Sequence, residues 1–333
     1  MTVAIIGGGN FFNLMHGPVV SKMPAITRMT HFNADPLQAK KNAASWHFDE
    51  VYPDIDSLLK NETVDCAYVF TPAEVTSQYA VKFIELGIAV FLEKPVAEDP
   101  ADLLKIKAAY RQNSTNHFIA FNRRFSPIIS VVKEFMQSHS PVNHIAVDFY
   151  RHDTRLPNKY MGSAVHPIDT IRYLFGDIQD IHTVRSQTEY FDHGKISYTS
   201  IFVFDSGLSG SLTFNCRAGH ISEGYTVLAE NTTLIAELSG PYGTDWPKTV
   251  KILTDRGNTV IKDVDLGHDL PSEHHTPSFF NGVEQEHRYF IKCLQDGTRM
   301  SPGIEETIGT MKTAYAIREC HRGALSEFQK GLW

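Results

Sequence analysis

The segment Val90-Phe91-Leu92-Glu93-Lys94-Pro95 gives the clearest indication of the fold. A short apolar run ends there on an acid, a lysine and a proline, and apolar runs between helical patterns are typical of buried parallel strands. Pro95 removes a backbone donor and fixes its own φ, so the strand must end before it. Lys94 is therefore predicted at the carboxyl edge of a parallel sheet, where open α/β sheets bind ligands. A lysine there is a candidate proton donor or acceptor, and the alternative is a solvated lysine after a strand.

The composition is that of an ordinary globular protein. The chain has 333 residues, enough for two domains, with 42% apolar and 21% charged residues. The net charge of −7 and the lack of a dense Lys/Arg cluster argue against a nucleic-acid partner. The four cysteines are scattered without zinc-ligand spacing, which favours reduced thiols. Because we find no signal segment and no bilayer-spanning apolar run, we expect a cytoplasmic protein without a membrane partner.

A glycine-rich turn follows the first predicted strand, Val3-Ala4-Ile5-Ile6. The segment Gly7-Gly8-Gly9-Asn10-Phe11-Phe12, called the glycine turn below, has two of the three glycines of GxGxxG and a phenylalanine in place of the third. Gly7 would make the tight turn, and Gly9 would let a pyrophosphate approach the backbone at a helix N-terminus. Its position after the first strand favours a dinucleotide site over a turn with no ligand. The predicted cofactor contacts here are Gly7, Gly9, Asn10, Phe11 and Phe12.

The end of the second strand, predicted over Ile26 to Asn33, bears on the choice of cofactor. NAD-binding folds place an acid there to hold the ribose hydroxyls, and the candidates in this chain are Asn33 and Asp35. No arginine follows to hold a 2′-phosphate, so NAD is slightly favoured over NADP. Asp35-Pro36 also predicts the N-cap and first-turn proline of the next helix.

Strands and helices alternate through the first third. This alternation predicts a parallel, doubly wound sheet of the Rossmann type over residues 1–122, as a dinucleotide-binding domain. Thr71-Pro72, Glu93-Lys94 and Phe121-Asn122-Arg123-Arg124 all follow strand ends, so they should converge with the glycine turn on one cleft. The predicted helices are Pro36–Trp46, Asp54–Leu59, Glu74–Leu86 and Pro100–Arg111, and the predicted strands are Cys66–Phe70, Ala89–Leu92 and Phe118–Phe121.

From residue 141 the pattern changes to strand-like runs separated by turn residues. Runs of strands with few helices predict an α+β domain over residues 123–333 with a large, mostly antiparallel open sheet. One face of such a sheet needs a cover besides its own helices, which favours a homodimer or homotetramer. The predicted strands are His144–Tyr150, Ile178–Thr188, Ser197–Phe204, Gly210–Cys216, Thr226–Ala229, Thr233–Leu238, Thr249–Leu253 and Thr259–Asp263. The predicted helices are Phe125–Met136, His166–Phe175, Pro277–Leu294 and Gly303–Arg322.

Two groups of residues resemble metal ligands, namely Glu273-His274-His275 and Glu284 with Glu286-His287. Neither offers a complete ligand set with regular spacing, and sixteen histidines make chance clusters common. We therefore predict no metal site.

In the order of its motifs, essentially the whole chain resembles the Gfo/Idh/MocA family of sugar and polyol oxidoreductases. The resemblance implies an NAD or NADP cofactor and hydride transfer between nicotinamide and a carbon of a sugar, polyol or sugar derivative. It also implies back-to-back dimers. The motifs are Ala4-Ile5-Ile6-Gly7-Gly8-Gly9-Asn10, Thr71-Pro72, Leu92-Glu93-Lys94-Pro95-Val96-Ala97, Phe121-Asn122-Arg123-Arg124-Phe125, His166-Pro167-Ile168-Asp169 and Asp296-Gly297 with Ser301-Pro302.

The resemblance implies two catalytic residues. Lys94 would lie beside the nicotinamide, and His166 would take the proton of the substrate hydroxyl, a transfer that suits the ordinary pKa of histidine. The alternative for His166 is a core histidine, and for Asp169 we favour a buried structural hydrogen bond. The further cofactor candidates are Thr71, Pro72, Glu93 and Asn122, and the substrate candidates are Arg123, Arg124, Lys159, Tyr160 and Asp169.

Two departures from the family pattern concern the proposed chemistry. The family usually has an aspartate four residues before this histidine, where this chain has Gly162, and a histidine shortly after Thr-Pro, where this chain has Thr76. Three functions stay open for this chain. The first is an NAD(P)-dependent oxidoreductase acting on CH–OH groups. The second is a nucleotide- and sugar-binding sensor or regulatory protein with little or no turnover, and the third is a reductase of an unsaturated ring.

Overall fold

The computed structural model describes residues 1–139, 141–151, 160–186, 197–216, 218–238, 249–254, 264–265 and 276–333. The chain divides into two compact units. The first unit is Met1–Asn122 with Val283–Ile308, and the second is Arg123–Gly282 with Gly309–Trp333. The first unit thus takes in a segment that the sequence analysis assigned to the second domain. Among the described residues, no helix combines the length and the apolar character needed to cross a membrane.

The first unit contains a six-stranded sheet in which every neighbouring pair is parallel. The order β3-β2-β1-β4-β5-β6 confirms the predicted doubly wound Rossmann-type sheet. Its central strands are apolar because both faces are covered, and Val3 to Ile6 are fully buried. The strands are β1 (Thr2–Gly7), β2 (Arg28–Phe32), β3 (Glu50–Val51), β4 (Cys66–Phe70), β5 (Ala89–Leu92) and β6 (His117–Ile119).

Aspartate caps start three of the helices between these strands. The side chains of Asp35, Asp54 and Asp99 each accept a hydrogen bond from a backbone N–H of the first helical turn. The predicted cap at Asp35 is thereby confirmed. The helices are α1 (Gly17–Val20), preceded by a π-helical turn (Phe12–His16), then α2 (Pro36–Trp46), α3 (Ile55–Asn61), α4 (Ala73–Glu85) and α5 (Pro100–Asn113).

The described part of the second unit contains a nine-stranded sheet in the order β14-β13-β12-β11-β7-β10-β9-β8-β15. Every neighbouring pair is antiparallel except β7 with β10, which confirms the predicted mostly antiparallel sheet. The predicted strand Thr259–Asp263 lies outside the described residues. The strands are β7 (Val142–Tyr150), β8 (Ile178–Ser186), β9 (Ser197–Phe204), β10 (Ser209–Asn215), β11 (Ser222–Ala229), β12 (Thr232–Leu238), β13 (Thr249–Thr254), β14 (Val264–Asp265) and β15 (Arg322–Ala324).

Helices cover one face of this sheet. Helix α6 (Pro127–Ser138) packs against β12, and α7 (Tyr160–Phe175) places the ring of Tyr160 against the rings of Tyr198 and Phe214. Along β9, buried and exposed side chains alternate, as they do in a strand with one covered face. The other face of the sheet therefore points away from these helices.

The C-terminal helices differ from the prediction. Residues 277–294 form two helices, α8 (Pro277–Phe280) and α9 (Val283–Asp296), because Gly282 between them has φ +82°. Phe290 of α9 packs on Phe91 and Phe118, which explains why α9 belongs to the first unit. Helix α10 (Ile304–Arg318) ends before residue 322, and β15 follows it in place of the predicted last helical residues.

Candidate cofactor and active site

The glycine turn has the backbone conformation that its sequence predicts. Gly7 has φ +83° and Gly8 has φ +103°, which side chains other than glycine rarely adopt. The N–H of Gly8 donates to the carbonyl of Phe70 over 3.0 Å and ties the turn to the end of β4. A Cβ on Gly9 would meet no described atom within 4 Å. The backbone at Gly9 is thus open to a close approach, which is the property that a pyrophosphate site requires.

Three side chains that the sequence analysis missed hold this turn. Asn42 donates to the Gly8 carbonyl over 2.9 Å, and Asn13 donates to the Gly9 carbonyl over 3.0 Å. Trp46 in turn donates to Asn13 over 2.7 Å. Asn42 is fully buried and lies three residues after the buried Ala39, on the apolar side of α2. An amide at such a position is the sequence feature that could have identified Asn42 as a partner of the turn.

The residue in place of the third glycine belongs to the core. Phe12 is 2% exposed, and its ring packs on the rings of Phe70 and Trp46. Asn10 is exposed beside it, and Phe11 is half-buried with its ring 5.5 Å from Lys94 Nζ, a cation–π contact. A glycine at this position would let the strand and the helix pack closely. In this chain the side chain of Phe12 fills the space between them.

The polar groups at the end of β2 are held by the turn itself. Asn33 donates to the carbonyl of Gly7 over 3.1 Å and accepts from the N–H of Asp35 over 3.0 Å. Asp35 accepts from Leu37 as the cap of α2. The structure therefore places both predicted ribose-binding candidates beside the glycine turn, each with a local hydrogen bond.

Thr71-Pro72 follows β4 at the same edge of the sheet. The hydroxyls of Thr71 and Thr76 lie 2.9 Å apart, and Thr76 also donates to the carbonyl of Pro72 over 3.0 Å. Thr76, which stands where the family pattern has a histidine, thus closes the first turn of α4. In the sheet, Gly7 lies opposite Phe70, and Val69 lies opposite Leu92. The first unit therefore brings the glycine turn, Thr71-Pro72 and Glu93-Lys94 together, as the sequence predicts.

Glu93 and Lys94 follow β5, and both side chains are largely buried, with 14% and 10% of their surface exposed. Glu93 Oε1 lies 3.9 Å from Lys94 Nζ, and Glu93 Oε2 lies 3.7 Å from Nε2 of His16. Burial raises the pKa of the Glu93 carboxyl to about 7, and the positive charge of Lys94 opposes this rise. Glu93 is thus an acid that titrates near neutral pH beside the candidate catalytic lysine.

His16 forms a buried pair with His287 of α9. Their nitrogens Nδ1 and Nε2 lie 2.9 Å apart, and the His287 ring stacks on Phe91. Burial lowers the pKa of His287 to about 3 and that of His16 well below its ordinary value, so both rings are neutral. The sequence analysis missed this pair because 271 positions separate its members.

A carboxylate oxygen of Glu286 lies within 4.8 Å of this histidine pair, which makes three side chains of a metal-binding type. Two nitrogens on a tetrahedral zinc ion, with bonds of about 2.0–2.1 Å, would lie about 3.3 Å apart. The observed 2.9 Å is instead the ordinary length of an N–H···N hydrogen bond. We therefore describe His16 and His287 as a hydrogen-bonded pair.

Two arginines that were candidates for the substrate site form buried ion pairs within the second unit. Arg123 donates to Glu223 over 3.0 Å, and Arg124 donates to both carboxylate oxygens of Asp169 over 2.8 Å. Thr310 also donates to Asp169, which is 1% exposed. The structural hydrogen bond favoured for Asp169 is present, and its carboxylate is occupied by these donors.

Two of the remaining candidates, Tyr160 and His166, lie on α7, and Asn122 lies at the end of the first unit's N-terminal segment. Tyr160 is buried and donates to the carbonyl of Ala314 over 3.2 Å. His166 is 8% exposed, and its backbone carbonyl accepts from the Thr170 hydroxyl. Asn122, on the short 3-10 turn Asn122–Phe125, is 3% exposed. Lys159 and the Glu273-His274-His275 group lie outside the described residues.

Comparison with known proteins agrees with this geometry. Residues 1–121 match the model of the GFO_IDH_MocA oxidoreductase family, which has an NAD-binding Rossmann fold. A putative oxidoreductase, YceM, from Salmonella typhimurium is 25% identical over 98% of this chain and 99% of its own. Inositol 2-dehydrogenase from Acidothermus cellulolyticus is 29% identical over 46% of this chain and 47% of its own. The structure of a levoglucosan dehydrogenase in complex with NADH has a TM-score of 0.83 at 17% identity, covering 98% of this chain and 99% of that one.

Proposed function

We propose that the chain is an NAD(P)-dependent dehydrogenase of a sugar, polyol or sugar derivative, because its residues 1–121 match the GFO_IDH_MocA oxidoreductase model and an inositol 2-dehydrogenase is among its relatives. The observation that carries this proposal is the convergence, at one edge of the parallel sheet, of the open backbone at Gly9 with Glu93-Lys94. An open backbone next to a buried cation suits a dinucleotide and the reacting carbon of a substrate.

The proposed chemistry divides the alcohol hydrogens between two acceptors. Bound nicotinamide supplies the hydride acceptor for the hydrogen on carbon. The hydroxyl proton leaves to His166, and Lys94 donates a hydrogen bond to the oxygen on which negative charge develops. The pair is carried over from the family motifs, Lys94 from Glu93-Lys94-Pro95 and His166 from His166-Pro167-Ile168-Asp169.

We favour NAD over NADP as the working cofactor. The groups beside the glycine turn at the end of β2 are the neutral Asn33 and the acidic Asp35, and neither would attract a 2′-phosphate. One neighbour in structure is a levoglucosan dehydrogenase with NADH, which fits this preference. The names of that neighbour and of the inositol 2-dehydrogenase relative favour a polyhydroxylated ring as substrate.

The test begins with the purified protein. NADH and NADPH binding is measured by fluorescence, and sugars and polyols are then screened for nicotinamide reduction. Lys94→Ala should abolish turnover while keeping part of the NADH affinity, whereas Lys60→Ala, at an exposed lysine on α3, should behave as wild type. Failure to bind either nucleotide would overturn the proposal, and full turnover by Lys94→Ala would overturn the role of Lys94.

One observation favours a second candidate function. Gly162 takes the place of the aspartate that the family pattern has before His166, so the usual acidic partner of the catalytic pair is missing. A protein that binds nucleotide and sugar without turning them over would tolerate this loss and act as a sensor. Wild-type turnover of any polyol would exclude the sensor, and tight binding of both ligands without turnover would support it.

We also propose that the outward face of the second unit's sheet binds a second copy of the chain. Strand registers place one row across this face from Ile235 through small residues to Ile201. Ile201 and Val184 are 58% and 50% exposed, and Val203 lies on the same face. A broad sheet face with apolar and small side chains, which no helix covers in the described part of the chain, suits a flat, self-complementary dimer or tetramer contact. The row is Ile235, Thr226, Ala146, Ser211, Ile201 and His182.

A further inference from the structure

A series of ionisable side chains in contact with one another lies behind Lys94 in the first unit. Glu93 stands between Lys94 Nζ at 3.9 Å and His16 Nε2 at 3.7 Å, and His16 reaches His287 through the 2.9 Å contact of their rings. His16 and His287 are 1% and 0% exposed. Because water has almost no access to the rings, the protein must supply the hydrogen-bond partners of the Glu93 oxygen that faces them.

The histidine pair can match either protonation state of Glu93. When Glu93 is ionised, His16 Nε2–H points at the carboxylate and His287 Nε2–H donates to His16 Nδ1. When Glu93 is protonated, its O–H points at a bare His16 Nε2, and His16 Nδ1–H donates to His287 Nε2. Both rings stay neutral in both arrangements, each with one N–H. The 3.7 Å gap is longer than a hydrogen bond, and a shift of about 1 Å of the Glu93 carboxylate would close it.

Among Glu93, His16, His287 and Tyr68, Glu93 is the group whose pKa lies near neutrality. The pKa of Glu93 is about 7, whereas burial holds that of His287 near 3 and raises that of the neighbouring Tyr68 well above its ordinary value. Lys94 adds a positive charge that lowers the pKa of His16 further. Glu286 is fully buried beside the His16–His287 pair and is the next carboxyl group in this series of side chains.

We propose that Glu93 gains and loses a proton next to Lys94 during turnover, and that the His16–His287 pair is a positioning device that holds both forms of Glu93. The ionised form stabilises the Lys94 ammonium, and the protonated form no longer contributes this negative charge beside Lys94. The balance between the two sets the pH dependence of the reaction. The kinetic part of this inference rests on the proposed dehydrogenase function, whereas the coupling between Glu93 and the rings does not.

The coupling is tested by NMR of isotope-labelled histidine in the full-length protein, titrated from about pH 5.5 to about pH 8.5. His16 and His287 should remain neutral and exchange their protonated nitrogens with a midpoint near pH 7, the pKa of Glu93. Glu93→Gln should abolish the exchange. His31 is the internal control, because its Nδ1 lies 3.0 Å from the Ile5 carbonyl, an acceptor that fixes one tautomer.

A kinetic measurement adds a second test. His16→Phe keeps an aromatic ring among Phe11, Phe70 and Phe91 and removes both ring nitrogens. This substitution removes more stabilisation from the ionised form of Glu93 than from the neutral form, since hydrogen bonds to charged groups are the stronger ones. The inflection of the kcat/KM profile near neutral pH should therefore shift to higher pH by about one unit, with NADH affinity changed less than about threefold.

Three outcomes would overturn the inference. They are histidine signals that do not change through neutrality in wild type, rings that become imidazolium in that range, and stoichiometric metal on the purified protein with both rings as ligands. An inactive protein that shows the exchange would instead overturn the dehydrogenase proposal and leave the coupling intact.

Discussion

Gly7 lies so close to Phe70 that a Cβ on residue 7 would stand 2.5 Å from the carbonyl oxygen of Phe70. The backbone there also has φ +83°, so both the close contact and the backbone conformation exclude a side chain at this position. Two residues later, a Cβ on Gly9 would meet no described atom within 4 Å. The two glycines of this turn thus stand there for different reasons. Gly7 is required by the fold, whereas Gly9 leaves room for a ligand.

This difference predicts opposite effects for the same substitution. Gly7→Ala should lower the free energy of unfolding by about 3 kcal/mol, because the backbone must move away from Phe70. Gly9→Ala should leave that free energy within about 0.5 kcal/mol of wild type and weaken NADH binding by about tenfold, since its methyl group would occupy the path of the pyrophosphate. Urea unfolding and NADH fluorescence measure the two quantities. Unchanged NADH affinity in a folded Gly9→Ala protein would contradict this placement of the cofactor.

The buried ion pair of Asp169 with Arg124 predicts a loss of stability without a loss of substrate affinity. Asp169→Asn leaves the Arg124 guanidinium buried without its carboxylate, which should cost about 3–5 kcal/mol of unfolding free energy. The matched control is Asp102→Asn, since Asp102 pairs with the exposed Lys105 and should change stability by less than about 1 kcal/mol. A raised KM at unchanged stability would show instead that Asp169 contacts the substrate.

The local elements could be predicted from the sequence, whereas most of the polar contacts could not. The bounds of β4, β5, β9 and α2 agree with the prediction because apolar runs, prolines and caps mark them within a few residues. The Arg124–Asp169 pair joins positions 45 residues apart, and the His16–His287 pair joins positions 271 apart. Contacts of this kind depend on how the elements pack, and no local spacing encodes them. The parallel topology brought Glu93-Lys94 to the glycine turn, and that part of the site could be predicted.

Buried neutral histidines predict a loss of stability in acid. Burial lowers the pKa of His31 from 6.5 to about 4, so the unfolded chain takes up a proton below pH 6.5 that the folded chain refuses. The stabilising contribution is complete above pH 6.5 and falls as the pH drops toward 4, by about 3 kcal/mol in total. His31→Gln should be less stable than wild type at neutral pH but show a shallower decline over this range, measured by urea unfolding at stepped pH.

Glu93 should act on stability with the opposite sign. Its pKa is raised from 4.5 to about 7, so the folded chain holds a proton there that the unfolded chain releases. This contribution is present below pH 4.5 and is lost as the pH rises through 7. Glu93→Gln cannot ionise and should therefore gain stability relative to wild type as the pH rises from 5 toward about 8. A parallel pair of pH profiles for wild type and Glu93→Gln would contradict the raised pKa.

The row of residues from Ile235 to Ile201 on the outward sheet face of the second unit predicts an oligomer that a single charge disrupts. Ile201→Asp would place a carboxylate within the proposed contact, against residues of the second copy, where it has no water and no partner. Because Ile201 is 58% exposed within one chain, the variant should fold normally and become monomeric. Leu37→Asp, at an apolar residue of α2 that is 70% exposed, is the matched control and should keep the wild-type mass. Sedimentation equilibrium gives the mass of each protein. A wild-type monomer, or an Ile201→Asp variant with unchanged mass, would place any contact between copies elsewhere.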